Sequence, residues 1–286
     1  MPAKLLTGKE VAAAINERTM DRIHGLKERG VKPTIAFLRV GDKEDDIAYE
    51  NSAMRRCDQM GISYRLFHID RSASQEELMS AIEEINSDDG IHGVLMLRPL
   101  PHEFDEKAAC AAISAHKDID GITNSSLAGI FTGEKIGYPP CTAQAVLEIL
   151  KYYGIPIDSK RVVVVGRSLV IGRPAALMLL GENATVTICH THTKDLPSIC
   201  QQADILVAAA GALDVVDTSC FNRDMAVIDV GIHIMEDGKM RGDVDWRKAQ
   251  DCVAAITPVP GGVGTVTTAV LMSHLADAAV KASLHI

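Results

Sequence analysis

A short turn in the second half of the chain carries the residue types needed to bind phosphate. Two glycines, Gly166 and Gly172, stand beside Arg167, Ser168 and Arg173. Glycine lets the backbone approach a pyrophosphate where a strand turns into a helix, and guanidinium and hydroxyl groups are natural phosphate partners. The spacing departs from the usual Gly-x-Gly-x-x-Gly. The turn predicts a dinucleotide site; the alternative is a helix entry flanked by solvated surface groups.

The residues after the next predicted strand bear on the choice of nucleotide. A fold that selects NAD places Asp or Glu about twenty residues beyond the glycine turn, where it binds the ribose 2′-hydroxyl. Residues 189–194 occupy that place here and contain no carboxylate. A carboxylate would repel a 2′-phosphate, whereas Arg167 and Lys194 would attract it. The sequence therefore favours NADP and leaves NAD open.

The same run raises the question of a metal site. Cys189, His190 and His192 are residue types that bind metals. Neighbouring residues of a strand point to opposite faces, however, so these side chains do not converge. The sequence predicts no metal site.

Alternating helix and strand patterns surround this turn. Apolar residues recur at helical spacing in some segments, and short β-rich runs separate those segments. The predicted helices are Val11–Leu26, Asp45–Met60, Ser74–Asn86, Ala143–Tyr153, one entered near Gly172, and Thr265–Leu284. The predicted strands are Thr34–Val40, Tyr64–Ile69, Gly93–Leu97, Val162–Val165, Thr185–Cys189, Ile205–Ala208 and Ala226–Val230. Residues 117–140, rich in Gly, Asp, Ser, Asn and Pro, are predicted to form loops.

This alternation predicts the α/β fold class, with mostly parallel sheets covered by helices on both faces. The length of 286 residues favours two domains. An N-terminal α/β catalytic domain is predicted from residues 1–140 together with 270–286. A doubly wound, Rossmann-like dinucleotide-binding domain is predicted from residues 141–269.

Composition argues against several classes of function. The formal charge of -9 disfavours non-specific nucleic-acid binding, because such a surface needs a cationic excess. The cysteines number 7 and form no Cys-x-x-Cys pair, which favours buried free thiols over a disulfide framework. The sequence shows no targeting pattern and no run of about eighteen apolar residues. We therefore expect a cytoplasmic protein without nucleic-acid or membrane partners.

Further motifs carry a resemblance to a known family. In chain order they are Pro99–Leu100–Pro101, Lys117–Gly121, Pro140–Thr142, Val165–Ser168, Asn183–Thr187, Gly242–Asp245 and Thr257–Gly264. Together they resemble the bifunctional methylenetetrahydrofolate dehydrogenase/methenyltetrahydrofolate cyclohydrolase family over essentially the whole chain. The resemblance implies a homodimer, a folate substrate that faces the nicotinamide ring in a two-domain cleft, and usually NADP.

The resemblance also assigns roles to residues. Tyr49 is similar to the tyrosine that contacts the pterin side of the folate, and Asp120 to the aspartate that anchors the pterin; both are implied in catalysis and substrate binding. A carboxylate can accept two pterin N–H groups, and a phenol can stack and donate. The other implied folate contacts are Leu97, Pro258, Gly261 and Gly262. The predicted nucleotide contacts are Gly166, Arg167, Ser168, Gly172, Arg173, Thr191 and Ile232.

Each assignment to folate has a structural alternative. Tyr49 can be a half-buried helix tyrosine, and Asp120 can be a turn residue before Gly121. The loop Val259–Gly264 can simply cap the last helix. The resemblance favours the functional interpretation in all three cases.

Positions in the folate pocket that the resemblance implies depart from the family pattern. Ala53 stands where the family has a lysine, one helical turn after Tyr49; Leu97 stands where it has a glutamine, and Asp46 where it has a serine. Hydride transfer to nicotinamide mainly requires oriented rings, whereas hydrolysis of the methenyl cation requires an ionisable group that moves protons. The hypothesis is a dehydrogenase that oxidises 5,10-methylenetetrahydrofolate with NADP and has a weak or absent cyclohydrolase step.

Three alternatives stay open on the sequence. The chain can be fully bifunctional and yield 10-formyltetrahydrofolate, with Arg98 or a neighbouring histidine in place of the lysine. It can keep the fold and nucleotide but act on another substrate. It can also be a non-catalytic nucleotide-binding homologue, in which case NADP would stabilise the protein without turnover of any folate.

Overall fold

The computed structural model describes residues 2–284, which form two compact units. One unit comprises the residues up to Ala14 together with Pro140–Val270, and the other comprises Ile15–Pro139 with the residues from Leu271 onward. The strands are β1 (Lys4–Leu5), β2 (Thr34–Val40), β3 (Ser63–Ile69), β4 (Gly93–Met96), β5 (Arg161–Val165), β6 (Thr185–Cys189), β7 (Ile205–Ala208), β8 (Ala226–Asp229), β9 (His233–Ile234), β10 (Met240–Arg241) and β11 (Ala255–Ile256). The helices are α1 (Gly8–Glu28), α2 (Glu44–Met60), α3 (Gln75–Ser87), α4 (Glu106–Ala112), α5 (Asn124–Thr132), α6 (Cys141–Tyr152), α7 (Gly172–Gly181), α8 (Leu196–Cys200), α9 (Trp246–Ala249) and α10 (Val263–Ser283), with a short 3₁₀-helix at Thr218–Cys220.

A three-stranded parallel sheet organises the unit that contains Ile15–Pro139. Its strand order is β3-β2-β4, so β2 is central. β2 is buried from its second residue to its last, as expected for a strand that is covered on both faces. α3 contributes Leu78, Ile82 and Ile85 to the same core as Leu38. The carboxyl ends of the three strands therefore lie at one edge of a well-packed sheet.

Six parallel strands form the sheet of the other unit, in the order β6-β5-β7-β8-β11-β1. From β5 the chain adds β6 on one side and β7 and β8 on the other, so the winding reverses between β5 and β7. Open parallel sheets bind ligands beyond the carboxyl ends of their strands at such a reversal. Val163, Leu206 and Val227 of the three central strands meet in one buried core. The two-domain α/β class with parallel sheets is confirmed.

The N-terminal segment packs with the six-stranded sheet. The sequence groups residues 1–14 with the predicted catalytic domain, and the described residues up to Ala14 make their contacts mainly in the unit that contains this sheet. The reason is β1, which pairs in parallel with β11 at the edge of that sheet. A strand of 2 residues has no periodic signal of its own, so its place is set by its partner.

Residues 117–140, predicted as loops, contain helix α5. Thr123 caps the N-terminus of this helix, because its hydroxyl accepts the N–H of Ser126 at 3.1 Å. Gly133 follows the helix in the left-handed conformation, a common helix end. The buried positions of α5 are Ser126 and Gly129. With small residues on its buried face, the helix lacks the apolar periodicity by which sequence patterns detect helices.

The last helix, α10, is long and apolar enough to cross a membrane. However, 61% of its most apolar stretch is buried inside the protein. Leu275, Ala276 and Ala279, for example, are fully buried. This degree of burial is that of a core helix in a folded domain.

Candidate functional site

The glycine turn after β5 excludes side chains at both of its glycines. Gly166 has a φ of 133°, and a Cβ at this position would lie 2.0 Å from the carbonyl oxygen of Ala209, which follows β7. A Cβ at Gly172, the first residue of α7, would lie 2.3 Å from the carbonyl oxygen of Gly166. Both distances are far below van der Waals contact. The backbones that follow β5 and β7 thus meet where the winding reverses, as a dinucleotide turn requires.

Ser168 organises this turn through its hydroxyl. The oxygen accepts hydrogen bonds from the N–H groups of Ile171 at 3.1 Å and of Gly172 at 3.4 Å. These N–H groups lie at the N-terminus of α7, the end of a helix that attracts anions. Arg167 and Arg173 are exposed on either side. The turn therefore combines a helix N-terminus with two guanidinium groups that a phosphate can reach.

β6 ends beside the same turn. The N–H of Gly166 donates to the carbonyl oxygen of Cys189, the last residue of β6, at 2.9 Å. Just beyond, the hydroxyl of Thr193 accepts the N–H of His190 at 2.8 Å, and this turn presents Thr191 to solvent. Thr191 thus lies at the same edge of the sheet as Gly166. In the described part of the chain, no group of three or more His, Cys, Asp or Glu is placed to hold a metal ion.

Ile232, the last predicted nucleotide contact, follows β8. Its side chain is 59% exposed, and its Cδ1 lies 3.6 Å from the Cβ position of Gly264 in the glycine-rich loop. The structure therefore brings Ile232 next to the loop that the resemblance places near folate and nicotinamide.

The glycine-rich loop itself is fixed by backbone contacts. The N–H of Gly8 donates to the carbonyl oxygen of Gly261 at 2.7 Å, and a Cβ at Gly8 would lie 2.1 Å from the carbonyl oxygen of Gly262. A Cβ at Gly262 would lie 2.4 Å from the carbonyl oxygen of Pro258. The predicted folate contacts in this loop are therefore held in one shape against the start of α1. Glycine at these positions has a structural role as well as the implied functional one.

A buried aspartate connects the loops at the carboxyl end of β8. Asp229 accepts the N–H groups of Gly231 and Asp243 through Oδ1 and that of Val244 through Oδ2, at 3.0 to 3.1 Å. Burial raises the pKa of Asp229 to about 7, although these three N–H groups stabilise its ionised form. Asp229 is absent from the predicted site. An aspartate at the carboxyl end of a buried strand is the sequence signal that could have found it.

Helix α2 carries the first of the predicted folate contacts. Tyr49 is 44% exposed, whereas Ala53, one helical turn later, is 3% exposed. Glu50 shares the buried face with Ala53 and is bonded to Nε of Arg39 at 3.3 Å and to Nε2 of His68 at 3.0 Å. This network, in which Arg39 and Glu50 are buried and His68 is exposed, ties α2 to β2 and β3 and is absent from the sequence prediction.

Asp120 lies in a turn that its two preceding polar residues hold in place. Lys117 is buried and donates through Nζ to the carbonyl oxygens of Ile85 and Asp88, both at 2.7 Å. Burial lowers the pKa of Lys117 below its ordinary value. Asp118 accepts backbone N–H groups just before α5 at 2.8 and 2.9 Å. Much of the Lys117–Gly121 motif is thus a scaffold for the turn, and Asp120 is half-buried within it.

The two residues that follow β4, Leu97 and Arg98, contact other parts of the protein. Leu97 is 6% exposed, and its N–H donates to the carbonyl oxygen of Leu38 at 2.9 Å. Arg98 has its Nη1 at 3.7 Å from Oε1 of Glu106. Leu97 therefore belongs mainly to the core, and Arg98 already has a carboxylate partner.

A cavity of about 600 Å³ lies at the carboxyl ends of β2, β3 and β4. Asp46 and the Pro-Leu-Pro motif at residues 99–101, both noted in the sequence, are part of its lining. The size is that of a small-molecule site. Tyr49, Leu97 and Asp120 are not among the residues that line this cavity. The cavity is therefore separate from these three predicted folate contacts.

Comparisons with known proteins agree with the motifs. Residues 6–120 match the model of the catalytic domain of the tetrahydrofolate dehydrogenase/cyclohydrolase family, and residues 140–283 match the model of its NAD(P)-binding domain. The bifunctional protein FolD of Carboxydothermus hydrogenoformans is 49% identical over 278 residues, which cover 96% of this chain and 97% of that protein. The crystal structure of the bifunctional FolD enzyme from Campylobacter jejuni is 35% identical and has a TM-score of 0.95, with 98% of this chain and 99% of that chain covered. The Trypanosoma brucei FolD structure, complexed with NADP cofactor and inhibitor, is 31% identical with a TM-score of 0.91 and covers 100% of both chains.

Proposed function

Because the chain belongs to the tetrahydrofolate dehydrogenase/cyclohydrolase family, we propose that it oxidises 5,10-methylenetetrahydrofolate to 5,10-methenyltetrahydrofolate with NADP. The observation that carries the proposal is the turn at Gly166 and Gly172, whose backbone excludes side chains where the winding of the sheet reverses. A homodimer in the cytoplasm is part of the same proposal, since the family resemblance implies the first and the composition favours the second.

The residues around the turn fit a dinucleotide. Arg173 supplies positive charge for the pyrophosphate and Arg167 for the 2′-phosphate, and Gly166 and Gly172 let the backbone come close. Thr191 lies at the end of β6, where the adenosine ribose binds in folds of this type. The absence of a carboxylate from residues 189–194 supports NADP over NAD. When bound, NADP supplies the acceptor for the hydride.

The residues assigned to folate act by binding and orientation. Asp120 accepts the N–H groups of the pterin, and its turn is fixed by buried neighbours, so the carboxylate has little freedom to lose on binding. Tyr49 offers an exposed ring for stacking. Leu97, Pro258, Gly261 and Gly262 complete the proposed contacts. Hydride transfer mainly requires that the methylene carbon be held against the nicotinamide ring.

The cyclohydrolase step is proposed to be weak or absent. Hydrolysis needs a group that holds or moves a proton, and such groups typically contribute about 10² to 10⁴ in rate. Neither Ala53 nor Leu97 has an ionisable side chain, and both are nearly buried. The second candidate is full bifunctionality, which the name of the 49% identical relative favours. The pairing of Arg98 with Glu106 argues against Arg98 as the substitute for lysine.

Replacing Arg167 with Gln should lower kcat/KM for NADP about tenfold and kcat/KM for NAD less than about twofold, because a charge-assisted bond to the 2′-phosphate is lost. The measurement is the initial rate of reduced-nucleotide formation from 5,10-methylenetetrahydrofolate with each nucleotide. Arg161→Gln is the matched control, since Arg161 is exposed at the other end of β5. It should change neither value.

One outcome would contradict the role of Arg167, and another would contradict the proposed function. Equal losses with NADP and NAD in Arg167→Gln would show that Arg167 does not recognise the 2′-phosphate. No oxidation of methylenetetrahydrofolate by the wild-type protein with either nucleotide would overturn the proposed function.

A further inference from the structure

A second buried carboxylate, that of Asp243, contacts two of the loops at the carboxyl ends of β7 and β8. Its backbone N–H is bonded to Asp229. The side chain of Asp243 is fully buried. Its Oδ2 accepts the backbone N–H of Ala210 at 2.6 Å and that of Gly211 at 2.9 Å. Its Oδ1 is 2.8 Å from Nε2 of His233. One carboxylate thus fixes the segment after β7 and the segment after β8.

The segment after β7 is the one against which the glycine turn closes. Ala209 carries the carbonyl oxygen that would meet a Cβ at Gly166, and its neighbours Ala210 and Gly211 donate to Asp243. A shift of this segment would therefore move one wall of the turn. The second segment includes Ile232, the predicted nucleotide contact, directly before His233.

Asp243 is itself fixed in two ways. Its N–H donates to Asp229 at 3.0 Å, and the N–H of Asp229 donates to the hydroxyl of Thr257 at 2.8 Å. Gly231 leaves no room for a side chain, since a Cβ there would lie 2.3 Å from Oδ1 of Asp243. The Asp243 carboxylate is therefore closely packed, and its contacts extend through Asp229 to Thr257, ahead of the glycine-rich loop.

From these contacts we infer that Asp243 is a positioning residue of the nucleotide site. It holds the backbone at 209–211 against Gly166 and orients His233 beside Ile232, without touching the nucleotide. The N–H groups of Ala210 and Gly211 are bonded to its carboxylate and are not available to a phosphate. The inference rests on the proposed function, because it assumes that this unit binds NADP.

The test compares Asp243→Ala with Asp243→Asn by calorimetric titration of NADP. Asp243→Ala removes the acceptor for two N–H groups and should raise the Kd for NADP at least about tenfold. Asp243→Asn keeps an oxygen that can accept both bonds, and its Kd should stay within about threefold of wild type. Asp224→Ala, at an exposed turn of the same unit, is the control and should leave the Kd unchanged.

Steady-state rates separate positioning from general damage. In Asp243→Ala the KM for NADP should rise with the Kd. The KM for methylenetetrahydrofolate at saturating NADP should stay within about twofold, because the link toward the glycine-rich loop runs through the backbone N–H of Asp243 and through Asp229, which this variant keeps. NADP affinity of Asp243→Ala within twofold of wild type would overturn the inference. So would an Asp243→Asn variant that binds NADP as weakly as Asp243→Ala.

Wild-type hydrogen exchange keeps the inference testable if Asp243→Ala does not fold. The amides of Ala210 and Gly211 should be protected with and without NADP, because their acceptor is a side chain of the protein. Rapid exchange of both amides in the free protein would contradict the inference. If the wild-type protein does not bind NADP at all, the proposed function fails, whereas binding that is insensitive to Asp243 removes only the positioning role.

Discussion

Replacing Gly166 with Ala should weaken NADP binding at least about a hundredfold. Gly166 has a φ of 133°, a region that residues other than glycine rarely adopt, and the new Cβ would lie 2.0 Å from the carbonyl oxygen of Ala209. That contact is with backbone, so no side chain can move aside. The turn must open, and each 1.4 kcal/mol lost from binding is about tenfold in Kd. The Kd is measured by titration with NADP.

The control for this variant is Gly181→Ala. Gly181 ends α7, the helix that follows the turn, and a Cβ there has no neighbour within 4 Å. Its NADP affinity should equal that of wild type within about twofold. Circular dichroism and the melting temperature establish that Gly166→Ala is folded under the assay conditions. A folded Gly166→Ala protein that binds NADP within threefold of wild type would contradict the assignment of the turn.

Replacing Asp120 with Asn should lower kcat/KM for methylenetetrahydrofolate about a hundredfold or more and leave the Kd for NADP within about twofold. The carboxylate is proposed to accept two pterin N–H groups; the amide accepts only through its oxygen and presents an N–H to the second donor. Lys117 and Asp118 make contacts that fix the turn, and asparagine has nearly the size and shape of aspartate. The fold of the turn should therefore survive the change.

Asp89→Asn is the matched control for this second variant. Asp89 is an exposed acidic residue in the turn after α3, and its replacement removes the same charge from the same unit. Its kcat/KM should be that of wild type. An Asp120→Asn enzyme with unchanged kcat/KM would remove Asp120 from the folate site and favour its interpretation as a turn residue.

The central strands and the glycine turn were predictable because their signals are local. Four consecutive valines before Gly166 can bury both faces of a central strand, and this is how β5 is found. The start of α3 is indicated by a capping box, in which the side chains of Ser74 and Glu77 each accept the backbone N–H of the other residue. In each case the residues that determine the structure lie within a few positions of one another.

The parts that the sequence did not predict depend on distant partners. β1 exists because β11 offers it an edge, and α5 buries Ser126 and Gly129 instead of large apolar side chains. The contact between Asp243 and the backbone of Gly211 joins residues 32 positions apart. No pattern within either segment reveals it, since only the folded sheet brings the carboxyl ends of β7 and β8 together.

Two positions of the proposed folate site that differ from the family pattern are buried. Ala53 and Leu97 are 3% and 6% exposed, so neither position offers water a polar group. Glu50, which shares the buried face of α2 with Ala53, is bonded to His68 of β3. The buried, non-ionisable side chains at these two positions support the proposal of a dehydrogenase with little cyclohydrolase.

The most direct test follows one reaction at two wavelengths. Wild-type protein is given 5,10-methylenetetrahydrofolate and NADP in a buffer in which spontaneous hydrolysis is measured separately, and the absorbance of NADPH and that of the methenyl product are recorded together. We predict that methenyltetrahydrofolate accumulates nearly in step with NADPH, with enzymatic hydrolysis slower than about a tenth of the rate of oxidation. NADPH formation with no methenyl accumulation, at a hydrolysis rate that matches oxidation, would contradict the account.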